Sequence, residues 1–192
     1  MTRTKFDPIA EAIADVEGVP EAFAEAFKGP EGEKKPRELL IICYSGDLEK
    51  TWASLILATT AAASGVPTRM FLTFWGLQTF VKDEVRITGQ NWMQKMMAVM
   101  QRPGISHRKL SKMNFLGMGP WMMGKLARQH GVAKPKELLE AAMALGVELM
   151  PCQMTMDMFG LTKDDMIEGM GEPVGAATVI EMLANGAAPL FI

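Results

Sequence analysis

From Leu39 to Tyr44 the chain reads Leu-Leu-Ile-Ile-Cys-Tyr, apolar at every position. A strand covered on both faces has this pattern, so a buried parallel strand is predicted here. Ser45-Gly46-Asp47 then turns the chain, and Leu48, Trp52, Leu55, Ile56 and Ala63 recur at helical spacing until Ser64-Gly65 stops the run. A second strand is expected over residues 68–74, Thr-Arg-Met-Phe-Leu-Thr-Phe, which completes a strand-helix-strand unit.

The middle of the chain is less regular. Trp75-Gly76-Leu77 opens an aromatic-flanked loop, and residues 90–101 predict a helix with Met93, Met96, Met97 and Met100 on one side. After Arg102-Pro103-Gly104 comes a long segment with Met113, Phe115, Leu116, Met118, Trp121, Met122 and Met123, interrupted by glycines. A connection of this length between sheet elements points to a lid or a subunit contact.

Regular pattern returns at Lys134-Pro135-Lys136-Glu137, where proline in the first turn starts a helix carrying Leu138, Leu139, Ala142 and Leu145 up to Gly146. A strand from Val147 to Met150 then delivers Pro151-Cys152, and either a polar loop or the start of a helix over Gln153 to Phe159 follows. Thr162 is placed to cap a short helix with Asp164 and Asp165 in its first turn. A last helix is expected over Ala176 to Ala184, and Ala188 to Ile192 fits an edge strand.

The alternation predicts a three-layer α/β sandwich with a mostly parallel sheet of about five strands. Residues 8–28 form a weak helical preface broken at Gly18 and Pro20, and residues 29–37 are a charged, Gly- and Pro-rich linker. The expected organisation is therefore an N-terminal extension over residues 1–37 and one α/β domain over residues 38–192.

Length and charge narrow the field. A chain of 192 residues suits one sizeable core. Lys and Arg total 20 against 22 Asp and Glu, a formal charge of -2, which does not suit nucleic acid as a partner. Two cysteines make neither a disulfide framework nor a zinc ribbon, and the first residues lack an apolar signal core. No stretch reaches the roughly 18 apolar residues of a spanning helix. A cytoplasmic protein with reduced thiols is expected.

The candidate chemistry lies at the carboxyl ends of the strands, where ligands gather in this architecture. Ser45-Gly46-Asp47, Trp75-Gly76 and Cys152 all map there. A thiolate at Cys152, facing the amides of a following helix, would attack a sulfane sulfur or a disulfide. The competing reading is a buried small hydrophobe, and the residues alone leave both open. Cys43 lies in the apolar first strand, where an inert core thiol is expected, although adjacency of the two strands would let it resolve a Cys152 sulfenate or persulfide.

Asp47 and Glu49 begin the first helix, where capping is favoured over catalysis. His107 stands with Arg102, Arg108, Lys109 and Lys112 in a basic stretch that suits an acidic partner, an anionic sulfur compound or a solvated loop. His130 follows Arg128-Gln129 at a helix end. The methionine clusters have the spacing of a packing face, and Trp92 and Trp121 beside them favour an oligomer interface or an apolar groove over a copper cage. A peripheral membrane contact through residues 113–124 is a minor alternative. The chain has no CxxC pair, no GxxxxGK[ST] loop, no GxGxxG and no HExxH.

Four marks occur together. They are Tyr44-Ser45-Gly46-Asp47-Leu48-Glu49-Lys50, Phe71-Leu72-Thr73-Phe74-Trp75-Gly76-Leu77, the methionine-rich middle, and Pro151-Cys152-Gln153-Met154-Thr155-Met156-Asp157 ahead of Gly160. In these the chain resembles the DsrE/DsrF/DrsH-like family, in the DsrE-like sulfur-transfer branch often labelled as peroxiredoxin family proteins, over most of residues 38–192. The resemblance implies an α/β sandwich that forms homo-oligomers and carries sulfur as a cysteine persulfide between TusA-like and rhodanese-like proteins. It assigns the sulfur-carrying role to Cys152. Cys43 matches no catalytic cysteine of the pattern, and the Thr-x-x-Cys arrangement of thiol peroxidases is missing.

The expectation is thus a sulfur relay or sulfurtransferase-like protein with Cys152 as its reactive residue. Cys43, Asp47, Trp75, Gln153 and Thr155 are auxiliary candidates, and neither cofactor nor metal is expected. The alternatives are a scaffold or regulatory protein with a structural Cys152, and a thiol redox protein using Cys152 with Cys43.

Overall fold

The computed structural model describes residues 38–86 and 88–192, so the N-terminal preface and linker lie outside the described residues. The apolar run becomes strand β1, Leu39–Cys43, followed by helix α1, Leu48–Ala63. Strand β2, Thr68–Leu72, leads into the short helix α2, Phe74–Gln78. Helix α3 is Trp92–Met100, α4 is Met118–Gln129 and α5 is Pro135–Ala144. Strand β3, Glu148–Pro151, precedes helix α6, Gln153–Phe159, and helix α7, Ala176–Ala184, precedes strand β4, Ala188–Phe191.

The strands lie in the order β3-β2-β1-β4, and every pairing is parallel. Among the described residues there are four strands where about five were expected. The fifth position is held by a single residue: Val174 bridges Cys152 in parallel outside β3, with Val174 N–H donating to Pro151 O at 2.9 Å and Gln153 N–H to Val174 O at 3.1 Å. The apolar neighbours Leu40 and Ile41 of β1 are both fully buried, because adjacent side chains of a strand face opposite layers and both layers are covered.

One face carries Ile41, Cys43, Met70, Leu72 and Leu149, packed under Leu55 and Ala58 of α1, Leu139 and Ala142 of α5, and Met156 and Phe159 of α6. The other carries Leu40, Phe71, Met150 and Cys152, packed under Val179 of α7. The result is a three-layer α/β sandwich.

Three sequence expectations change. β2 stops at Leu72 because Phe74 turns to φ 46°, a left-handed conformation, and α2 begins where a loop was expected. The glycine-interrupted segment contains α4, since Gly119 and Gly124 sit inside the helix; a Cβ on Gly119 would lie 2.0 Å from Met113 O. The methionine face of α3 packs only in part, with Met97 against the core and Met93, Met96 and Met100 exposed together with Trp92. This nine-residue helix is tied to the last turn of α6, where Gln94 donates to Asp157 O and Met158 O, and its apolar stripe outruns the core it meets.

Candidate functional site

Three loops leave the carboxyl ends of β1, β2 and β3 side by side. The first two are pressed together through glycines: Gly76 N–H donates to Tyr44 O at 3.0 Å, a Cβ on Gly76 would meet Cys43 O at 2.3 Å, and one on Gly46 would meet Trp75 O at 2.6 Å. The backbone ladder continues past the strands, with Thr73 N–H to Cys43 O and Cys152 N–H to Leu72 O, both at 2.9 Å.

Cys152 sits at the N-cap of α6 with extended backbone, and its carbonyl accepts from Met156 N–H at 3.0 Å. The proline before it favours that extended approach by fixing its own φ and removing a donor at the strand's end. The Cys152 side chain is only 4% exposed and belongs to the smaller core under α7, which Val174 also covers.

Thr155, fully buried in the first turn of α6, ties this helix to the β2 loop. Its Oγ1 accepts from Phe74 N–H at 3.1 Å and lies 3.1 Å from Thr73 Oγ1. Thr73 occupies the N-cap of α2 without capping it, so Thr155 supplies the cap from another element. The Trp75 ring packs on Phe159 at the far end of α6, with centroids 5.2 Å apart. Gln153 is exposed and donates to Asp157 Oδ1 at 2.8 Å.

Asp47 stands at the N-cap of α1, yet its carboxylate makes no capping hydrogen bond, which corrects the capping role expected for it. The carboxylate instead accepts from Ser45 Oγ at 3.0 Å and Lys50 Nζ at 2.8 Å, while Leu48 N–H donates to Lys109 O at 2.8 Å. A carbonyl from the basic segment thus caps the helix, and Asp47 is drawn to its own lysine. Glu49 accepts from Ser111 N–H at 3.2 Å and anchors the same segment.

Cys43 and Cys152 do not meet. They lie on opposite faces of the sheet, and β2 separates β1 from β3. Two strand spacings are roughly 10 Å, beyond the roughly 7 Å Cα separation a disulfide spans. Burial pushes the Cys43 thiol up to about 12, with the Ser54 hydroxyl opposing in part, so Cys43 is a neutral core thiol. The resolving role weighed for Cys43 therefore lacks geometry.

Arg108 departs from the solvated loop that its basic neighbours suggest. It is 5% exposed, with Nε donating to Gly104 O at 3.1 Å and Nη2 to Arg102 O, while Nη1 is buried without a partner. Burial lowers its guanidinium to about 10, against the pull of Asp83 and Asp47. Its polar flanks give no sign of this burial, which comes from the fold of the segment onto α1. No group of three or more His, Cys, Asp or Glu among the described residues is placed to hold a metal. No described helix is long and apolar enough to cross a membrane.

Fold and rim together define a parallel α/β sandwich with one cysteine at a strand-to-helix junction on the sheet's carboxyl edge. The family model of the DsrE/DsrF/DrsH-like family matches residues 35–191, and the chain belongs to that family. It is 34% identical over 159 residues to the uncharacterized protein YrkE of Bacillus subtilis (strain 168), covering 83% of this chain and 99% of that one. It is also 34% identical over 159 residues to the sulfur carrier protein DsrE2 of Allochromatium vinosum, covering 81% and 98%. Among solved structures it is similar to the ychN protein of E. coli, with TM-score 0.49, 14% identity and coverage of 81% and 99%.

Proposed function

We propose that this protein is a sulfur carrier that holds sulfane sulfur as a persulfide on Cys152. The observation that carries the reading is the position of Cys152, which closes β3 and opens α6 in a chain 34% identical to a sulfur carrier protein over nearly that relative's whole length. In the transfer step the Cys152 thiolate attacks the outer sulfur of a donor persulfide. The donor's S–S bond breaks, a new S–S bond forms on Cys152, and the donor leaves as a thiolate that takes up the proton. Delivery to an acceptor thiolate reverses these events, so no external oxidant or reductant is needed.

Cys43 is excluded from this step by its high pKa and its place on the opposite face. TusA-like and rhodanese-like proteins are the donors and acceptors that fit such a relay, in the cytoplasm where thiols stay reduced. The exposed Trp92, Met96, Met100, Trp121 and Met122 suit a homo-oligomer contact. Sedimentation of the full chain tests that contact: a monomer at micromolar concentration removes it from the proposal.

The burial of Cys152 favours a second reading, a scaffold or regulatory protein in which this thiol only packs. Mass measurement after incubation with a persulfidated carrier separates the two. Gain of about 32 Da per chain that persists in Cys43→Ser and disappears in Cys152→Ser supports the carrier. No gain on the wild type, or a gain that survives Cys152→Ser, overturns it.

A further inference from the structure

Cys152 is 4% exposed, and sulfur transfer needs a donor sulfur in contact with its Sγ. Part of the protein must therefore move before the thiol reacts. The inner side of Cys152 is fixed, because its N–H donates to Leu72 O of β2 at 2.9 Å and the buried Thr155, Met156 and Phe159 anchor α6. Over it, α7 is held by Val179 in the smaller core. On the outer side, away from β2, stands Val174.

The segment that carries Val174 is built differently. Met166 and Val179 are 2% and 5% exposed, and no residue between them, from 167 to 178, is buried. Backbone hydrogen bonds tie it to β3, from Gly171 N–H to Leu149 O, from Val174 N–H to Pro151 O and from Gln153 N–H to Val174 O. The exposed Lys163–Glu172 ion pair adds little. Gly169 has φ 82°, a conformation that glycine enters freely, and Gly175 is the N-cap of α7 with nothing within 4 Å of an added Cβ. Between these two, Gly171 lies so near the strand that a Cβ would stand 2.8 Å from Leu149 O. The segment seats flat on β3 because residue 171 has no side chain.

We propose that residues 168–175 are a hinged strap, pivoting at Gly169 and Gly175, whose release from β3 gives access to Cys152. The sheet and both core clusters stay packed while it moves, since the strap contributes no buried side chain to either. Sulfur then reaches the thiol from the outer edge of β3. This device presupposes Cys152 as the sulfur-carrying thiol, yet access to the thiol is measured without sulfur. A strap that opens over a thiol that takes up no sulfur sinks the carrier reading alone, and persulfide formed at Cys152 with no strap opening sinks the strap alone.

Alkylation of the full chain with iodoacetamide, with both cysteine peptides quantified by mass spectrometry over time, tests the strap. Cys43 is also 4% exposed but lies in the opposite layer under α1, so its rate reports opening of the whole fold. In the wild type Cys152 should react about tenfold or more faster than Cys43. Gly171→Ala sets a methyl group against Leu149 O, a backbone atom, without touching the thiol. It should lift the strap and raise the Cys152 rate about fivefold or more while the Cys43 rate stays near that of the wild type. The wild-type comparison stands whether or not that variant folds. Equal rates at the two cysteines of the wild type overturn the proposal, and so does a Gly171→Ala chain in which Cys152 reacts no faster or both cysteines speed up equally.

Discussion

Thr73 and Thr155 bring their hydroxyl oxygens to 3.1 Å in a buried contact between the loop after β2 and the first turn of α6. The same Thr155 oxygen caps α2 through Phe74 N–H, so one side chain fixes two helix starts at the rim. Thr155→Val keeps the shape and leaves that part-buried amide without its acceptor. It should destabilise the fold by about 1–3 kcal/mol in urea denaturation, whereas Thr155→Ser should retain most of the stability. Equal stability of the valine variant and the wild type would show that the contact contributes nothing.

Two glycines make a matched pair of tests. Alanine at Gly76 drives a methyl group into Cys43 O, a backbone atom that cannot swing aside, and should destabilise by roughly 2–3 kcal/mol or more. Alanine at Gly124, inside α4 with nothing within 4 Å of its Cβ, should instead stabilise by up to about 1 kcal/mol. Thermal unfolding of the two variants beside the wild type reads both signs at once.

Cys43 makes stability fall with alkali in a defined window. Its folded pKa is raised to about 12 from an ordinary value of 9.0, so the folded chain keeps a proton that the unfolded chain releases. Stability is therefore intact below about pH 9 and declines as pH rises towards about 12. In Cys43→Ala this component of the decline should be missing, so the stability difference between wild type and variant narrows steadily above pH 9. A difference that stays constant to about pH 11 would contradict the burial of that thiol.

The separation of the thiols predicts the products of oxidation. Mild oxidation of the full chain should give no intramolecular Cys43–Cys152 disulfide, because the two sulfurs face opposite layers with β2 between their strands. Peptide mapping without reduction checks this, and recovery of a linked Cys43–Cys152 peptide from monomer would refute the arrangement.

The parts of the fold that repeat a periodic pattern were legible in the chain. Leu39–Cys43, Pro135–Ala144 and Ala176–Ala184 form the elements that their spacing, proline placement and flanking glycines predict. Contacts made across elements were not. Asp47 has the type and position of an N-cap, but a carbonyl 62 positions further along the chain, Lys109 O, takes the amide of Leu48. Arg108 carries the same signature as its solvated neighbours, and only the fold of its segment onto α1 buries it. Val174, which completes the sheet beside Cys152, has no strand pattern because a single residue pairs.

That one-residue pairing sets a clock on the thiol. Gly171 N–H to Leu149 O and Val174 N–H to Pro151 O, both at 2.9 Å, and Gln153 N–H to Val174 O at 3.1 Å hold residues 171–174 along the outer edge of β3. Releasing them together forfeits about 3 kcal/mol, so the strip stands open in fewer than about one molecule in a hundred. Small reagents that wait for spontaneous opening should then modify Cys152 roughly a hundredfold more slowly than a free thiol. Under the proposed relay, a partner protein would escape that delay by replacing those three bonds with its own backbone, and the edge of the sheet would favour it by rate over a passing small molecule.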